Sequence, residues 1–219
     1  EQGLGDQSWL SWKTGRINNV TSNNYGSTYV YDTTSVANIF NSRLVYNKGS
    51  LILHMLRWQL GDDMFFQSLQ NYLNDPKLAY SYATTTDLIN TILSTTGKDM
   101  TAFFEDWYYG EGWPNYNVQW AKDPLCNKVY VTINQSHSAN QGTFFEMPVP
   151  IAFSDGVHTD TIVFNQSDPT KLNFVQELSF SPTSAVFDPE KWLCAKSTIS
   201  NVPFNNRPRI IIWNGSVNN

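Results

Sequence analysis

Tyr46 stands in the segment Tyr46-Asn47-Lys48-Gly49, immediately before an apolar run of helical length. A phenol held rigidly at the start of a buried helix is a good donor to an oxygen on which negative charge builds. It stays neutral at working pH, with a reference pKa near 10. The other reading is a buried tyrosine that packs the start of the helix, and spacing alone leaves both open. Lys48 and Gly49 are read without chemistry: Gly49, lacking a side chain, lets another element come close, and Lys48 is solvated or paired.

The remaining candidates are weaker. The three histidines, His54, His137 and His158, include no two standing four apart on a helix, so no metal-binding pair is written in their spacing. His54 lies inside the apolar run and reads as a core histidine bonded to a carbonyl. Asp62, Asp63, Asp87 and Asp99 each stand at an expected helix start, where capping and the helix dipole account for them. Glu105, Asp106 and Glu111 lie by the aromatic segment Trp107-Tyr108-Tyr109-Gly110-Glu111-Gly112-Trp113-Pro114. A polar helix face and a turn explain these carboxylates, a place at the edge of a substrate cleft being the alternative. The aromatic cluster either stacks a sugar or peptide ring or glues the helices to the C-terminal half of the chain. Cys126 and Cys194 are either bridged, which in the entropic view would contribute ~4 kcal/mol, or two buried thiols acting as small apolar residues. A zinc site from these cysteines with His137 and His158 has no ligand spacing behind it and is rejected.

The element that positions Tyr46 is the run after it. Leu51, Ile52, Leu53, Met55, Leu56, Trp58 and Leu60 leave almost no polar face, which predicts a helix buried on nearly every side and closed by Gly61. The wording of this stretch, Tyr46-Asn47-Lys48-Gly49, Leu53-His54-Met55-Leu56-Arg57 and Leu60-Gly61-Asp62, resembles the zinc aminopeptidases of the aminopeptidase N type, which are gluzincins. The likeness continues in order through Phe65, Tyr72-Leu73, Thr86-Asp87-Leu88, Gly97-Lys98-Asp99, Phe103-Phe104-x-x-Trp107 and Gly112-Trp113-Pro114. It covers about residues 30–114 and runs on more loosely to Asp188-Pro189. The resemblance assigns Tyr46 the role of oxyanion donor in peptide hydrolysis at zinc. It also implies a metal that this chain has no motif to hold, since His-Glu-x-x-His is absent. The expectation is therefore the C-terminal part of such an enzyme, with no metal-ligating and no cofactor-binding residue of its own.

Composition agrees with a globular, non-nucleic-acid protein. Of 219 residues 41% are hydrophobic and 15% aromatic, and the net charge is −5 with a pI near 5.1. No stretch has the length of a membrane span. Low charge with abundant Asn, Ser and Thr points to an exported protein, secreted or periplasmic and bacterial. The sequons at Asn19, Asn134, Asn165 and Asn214 arise easily in such a composition. The first residues lack methionine and are no signal peptide, which fits a piece of a longer precursor.

Periodicity divides the chain. Residues 1–116 read as helical, beginning with a short helix near residues 7–12, then turn formers and a brief extended piece at Tyr29-Val30-Tyr31. Ser35 or Thr34 caps a short helix, and the central helix comes next. Further helices start at Asp62 or Asp63, at residues 84–86 and at Asp99, stopped respectively by Pro76, Gly97 and Gly110. From Tyr116 the period becomes two, with strands expected at residues 116–120, 129–133, 144–153, 159–164, 172–178 and 185–187. The fold class expected is multidomain α and β: the α-helical C-terminal portion of a gluzincin catalytic domain (1–116) followed by a small antiparallel β-sandwich (117–198). Residues 199–219 are a tail or linker holding the apolar stretch Ile210-Ile211-Ile212-Trp213.

As a function, the sequence leads to a fragment of a zinc aminopeptidase that is inactive alone. Its partners are peptide substrates and the rest of the same polypeptide. The runner-up is a non-catalytic peptide- or glycan-binding module on a relic peptidase fold, and a third reading is a structural scaffold.

Overall fold

A computed structural model of the chain describes residues 5–139 and 144–206, which fall into two compact units. The first takes the described residues of Glu1–Asn115, Ser136–Pro148 and Glu190–Lys196, and the second those of Tyr116–Gln135, Val149–Pro189 and Ser197–Asn219. The turn at Asn140-Gln141-Gly142 and the apolar stretch Ile210-Ile211-Ile212-Trp213 lie outside the described residues.

The first unit is helical. Helix α1 spans Asp6–Val20, well beyond the short helix expected. Asn18 and Asn19 stay helical because Lys13, Ile17 and Val20 on one face are buried, and that packing outweighs weak propensity. The Lys13 ammonium donates to the Glu190 carbonyl within the same unit. Tyr29-Val30-Tyr31 forms no strand; instead the Tyr29 amide donates to the Tyr108 carbonyl at 3.0 Å. Helix α2, Val36–Ile39, is capped by the Ser35 hydroxyl.

A π-helical turn at Ser42–Lys48 leads into α3, Gly49–Leu60. The expectation of a helix buried all round is corrected: Leu51, Ile52, Met55, Leu56 and Leu60 form one buried stripe, while Leu53 is 39% exposed. Trp58 is half-buried because its indole N–H reaches the Pro148 carbonyl at 2.8 Å. Gly49 is also less constrained than expected, since a Cβ there would meet only Thr28 Cγ2 at 3.9 Å.

Helix α4, Asp62–Asn74, begins after Gly61 with no side-chain cap. Asp62 and Asp63 lie in its first turn, where they face the helix dipole rather than capping it. Asp62 is held instead by Arg57, which donates twice to its carboxylate at 2.7 Å. Helix α5, Thr85–Thr96, starts in a capping box between Thr84 and Asp87 and ends at Gly97 with φ 71°. Helix α6, Thr101–Phe104, continues as a second π-helical turn at Glu105–Tyr109. It buries Phe103, Phe104 and Trp107, the last with its ring 4.4 Å from Phe145. Among the described residues no helix is long and apolar enough to cross a membrane.

The second unit is built of strands, and the alternation read in the sequence is kept where one face is buried, as in Val129, Val131 and Ile133. They are β1 Pro114–Lys122, β2 Lys128–His137, β3 Met147–Ser154, β4 Thr159–Gln166, β5 Asn173–Glu177, β6 Ser184–Phe187 and β7 Lys196–Asn201, of which Pro114, Asn115, Ser136, His137, Met147, Pro148 and Lys196 are grouped with the first unit. One sheet has the order β5-β2-β1-β7 and the other β4-β3-β6. β2 and β5 run antiparallel with Tyr130 opposite Val175, and β3 and β6 antiparallel with Ile151 opposite Phe187. The buried set includes Val118, Trp120, Val129, Val131, Ile133, Val149, Ile151 and Phe153. Rings from the two sheets meet, Trp120 on Phe153 at 5.7 Å and Tyr116 on Phe187 at 5.2 Å.

Candidate functional site

The Ser42–Lys48 turn is fixed before it presents anything. Its first amides, those of Arg43 and Leu44, donate to the Asn41 side chain at 3.1 and 2.9 Å. Arg43 reaches across to the carbonyls of Asn23, at 2.7 Å, and Tyr25. The Thr28 hydroxyl donates to the Leu44 carbonyl at 3.3 Å. At the far end two polar side chains turn inward. Asn47 receives Arg16 at 2.8 Å and donates to Asn19 at 2.6 Å, both on α1. Lys48 donates to the Gly110 carbonyl at 2.8 Å.

With its neighbours tied down, Tyr46 points outward and is 55% exposed. The alternative of a buried tyrosine packing the helix start is thereby removed. The phenol offers its O–H to whatever lies in front of it, on a backbone that cannot readily move aside.

Beside the turn is a cleft of about 220 Å³, walled by Tyr25, Tyr29, Tyr31, Asp32, Val45 and Glu111 among others, with Tyr46 itself outside the wall. The Thr34 hydroxyl and amide donate to Asp32 and hold its carboxyl below the usual carboxylate range. Glu111, read as a turn residue with a cleft edge as the alternative, does line this cleft.

Lys48 departs most from its expected setting. It is 1% exposed rather than solvated, and its partner is a backbone carbonyl. Burial pulls the ammonium down to about 8; Arg43 pushes the same way, while Cys194 and Glu111 oppose. Cys194 is pushed up to about 12 by burial, with Lys48 pulling it back. Nothing in the hydropathy pattern announces this lysine, because a π-helical turn rotates side chains away from the 3.6-residue period on which such patterns rest.

The other candidates are scattered. His54 bonds the Lys191 carbonyl through Nε2 at 3.1 Å and stacks on Trp192 at 4.4 Å, a structural setting. His137 Nδ1 receives the Ala139 amide at 3.0 Å, and His158 Nδ1 lies 3.0 Å from the Asp155 carboxylate. Cys126 is exposed and Cys194 buried, both as free thiols. Asp99 holds the amide and hydroxyl of Thr101 at the start of α6, at 2.8 and 2.6 Å. Among the described residues no group of three or more His, Cys, Asp or Glu could hold a metal ion.

Comparison with known proteins adds a family. The family model described as the peptidase family M1 domain matches residues 12–107. Aminopeptidase N of Lactococcus lactis is 32% identical over 111 residues, 51% of this chain and 13% of the relative. A probable aminopeptidase of Sulfurisphaera tokodaii is 27% identical over 154 residues, 69% of this chain and 18% of the relative. The chain thus spans 13% and 18% of the length of these two curated relatives. Among solved structures, aminopeptidase A of Legionella pneumophila in complex with aspartic acid shares the fold, with a TM-score of 0.64 at 15% identity. That match covers 88% of this chain and 23% of the other.

Proposed function

We propose, from the match of residues 12–107 to the peptidase family M1 model, that the complete protein is a zinc-dependent aminopeptidase that removes N-terminal residues from peptides. This chain supplies its oxyanion donor. The observation that carries the reading is Tyr46, exposed on a turn in which the next two side chains, Asn47 and Lys48, are buried and hydrogen-bonded. When water adds to a peptide carbonyl, charge gathers on the carbonyl oxygen. A fixed phenol O–H placed there is stronger in the transition state than in the ground state, which is what lowers a barrier.

Among the described residues no group fits the zinc: the three histidines are held at separate places and the two cysteines stand apart from them. Its ligands are assigned to another part of the same polypeptide, and the 219 residues alone are expected to be inactive. The two sheets of the second unit are read as a sandwich, supported by the Trp120–Phe153 and Tyr116–Phe187 ring contacts. Export to the periplasm or medium of a bacterium is part of the proposal and rests on the low charged fraction of 15%.

The test is Tyr46→Phe in the complete enzyme. Loss of one oxyanion donor should cost about 10²- to 10³-fold in kcat, with KM and thermal midpoint nearly unchanged. Turnover within a few-fold of the parent would remove the assignment. A second reading, favoured by the tyrosine-walled cleft, is a non-catalytic peptide- or glycan-binding module. It requires peptide or glycan binding by this chain that survives Tyr46→Phe and weakens on Tyr31→Ala.

A further inference from the structure

The most deeply buried charged side chain among the described residues is Lys48, two positions after Tyr46. Placing an ammonium out of water is costly, and its long side chain also loses rotamer freedom. Among the described residues it donates to the Gly110 carbonyl at 2.8 Å. Gly110 closes the second π-helical turn, its own amide returning to the Glu105 carbonyl at 2.8 Å. That turn is fixed in its place: the Tyr108 carbonyl receives the Tyr29 amide at 3.0 Å, and Trp107 is buried against Phe145. Lys48 therefore ties the end of the turn that carries Tyr46 to the end of a turn that is itself immobilised.

We propose that Lys48 is a positioning residue for Tyr46, setting where the phenol stands by clamping the Ser42–Lys48 turn to Gly110 without touching substrate. The clamp rests on the reading of Tyr46 as the oxyanion donor. At 1% exposure Lys48 has no access to a substrate, so its effect passes through the backbone. Among the described residues, the charged or titratable groups that act on it are Cys194 in the segment Glu190–Lys196, Arg43 in its own turn and Glu111 just beyond the second turn. Burial is the main cause that brings its pKa down to about 8, with Cys194 and Glu111 acting to raise it and Arg43 to lower it. Below that pH the tether is charge-assisted; above it a neutral amine donates to the same carbonyl with roughly half the strength. The tether thus weakens with rising pH while the packing around it stays.

The experiment is carbon-detected NMR of this chain, following the Lys48 side chain and the backbone carbons of Tyr46 across the Lys48 midpoint. The expected result is that the Tyr46 carbons shift with the midpoint of Lys48, near 8, and that the shift disappears in Lys48→Met, which fills the same space. Tyr46 carbons that stay still while Lys48 titrates would overturn the proposal, and the parent chain alone decides this if the variant fails to fold. In the complete enzyme Lys48→Met should lower kcat by about tenfold to a hundredfold with KM within about twofold, as expected for a misplaced donor. It should also lose the alkaline fall centred near 8. Failures separate cleanly. If Tyr46→Phe keeps full turnover while the NMR coupling holds, the function is wrong and the clamp stands. If Tyr46→Phe is crippled and the coupling is missing, the clamp is wrong and the function stands.

Discussion

The strands of the second unit and the Ser42–Lys48 turn of the first solve burial in opposite ways. In β1, β2 and β3 the apolar residues go in and the polar ones out, and aromatic rings such as Trp120 and Phe153 rest on each other. In the turn, Asn47 and Lys48 go in and the aromatic Tyr46 goes out. The first arrangement gains stability with every residue buried. The second spends desolvation energy on two polar side chains to leave a phenol in the open. Inversions of this kind mark the places where a chain serves something other than its own packing. The second unit has a milder case in the buried Tyr116 hydroxyl, which has no hydrogen-bond partner among the described residues and whose proton affinity burial raises.

If that contrast is right, substitutions in the two regions must read out in different currencies. Phe153→Ala removes a fully buried ring from the second unit, and should cost about 3–5 kcal/mol of stability by urea unfolding. Tyr46→Phe should leave that unfolding curve in place while abolishing most turnover of the complete enzyme. Should Tyr46→Phe destabilise the chain as Phe153→Ala does, the distinction between the regions collapses.

The pH dependence sharpens it. Lys48 has a folded value near 8, below its reference of 10.5. Between those values the unfolded chain holds a proton that the native one has released, so stability rises with pH across this window. The rise should reach on the order of 3 kcal/mol and be missing in Lys48→Met, as read from denaturation at stepped pH. Cys194 works against it. Its folded value near 12 lies above the reference of 9, so its contribution is lost as pH climbs past 9. The smallest effect is expected at α5. Thr84→Ala breaks the capping box and should cost about 1 kcal/mol, without any change in the midpoint of the Lys48 titration.

What the sequence made legible was whatever is decided locally. Thr84, Asp87 and Gly97 bracket α5 because caps act within a turn of the helix end. The strands were readable wherever one face is buried, as in Val129, Val131 and Ile133. β7 was not, because almost every residue of Lys196–Asn201 is exposed and no alternation remains; its place beside β1 is held by the backbone ladder and by Asn117 bonding Thr198 at 3.0 Å. The reach of α1 to Val20 was hidden for a related reason: two asparagines look like a turn until the burial of Ile17 and Val20 is known. The exposure of Leu53 could not be seen either, since an all-apolar helix carries no sign of which face is covered. Tyr46 was singled out through its motif as a candidate, whereas the buried Lys48 depended on a π-helical turn and on a carbonyl 62 positions away.

Gly26 shows what such anchoring means for heredity. It has φ +92°, and a Cβ there would fall 2.6 Å from Leu44 Cδ1, inside the turn that carries Tyr46. Every amino-acid replacement at this codon therefore adds backbone strain and a push on Leu44 at once. If the complete protein is the aminopeptidase proposed above, a mutational screen for lost activity would recover Gly26 alleles alongside those of Tyr46. These alleles would be temperature-sensitive, because the chemistry is intact and only its placement has been loosened.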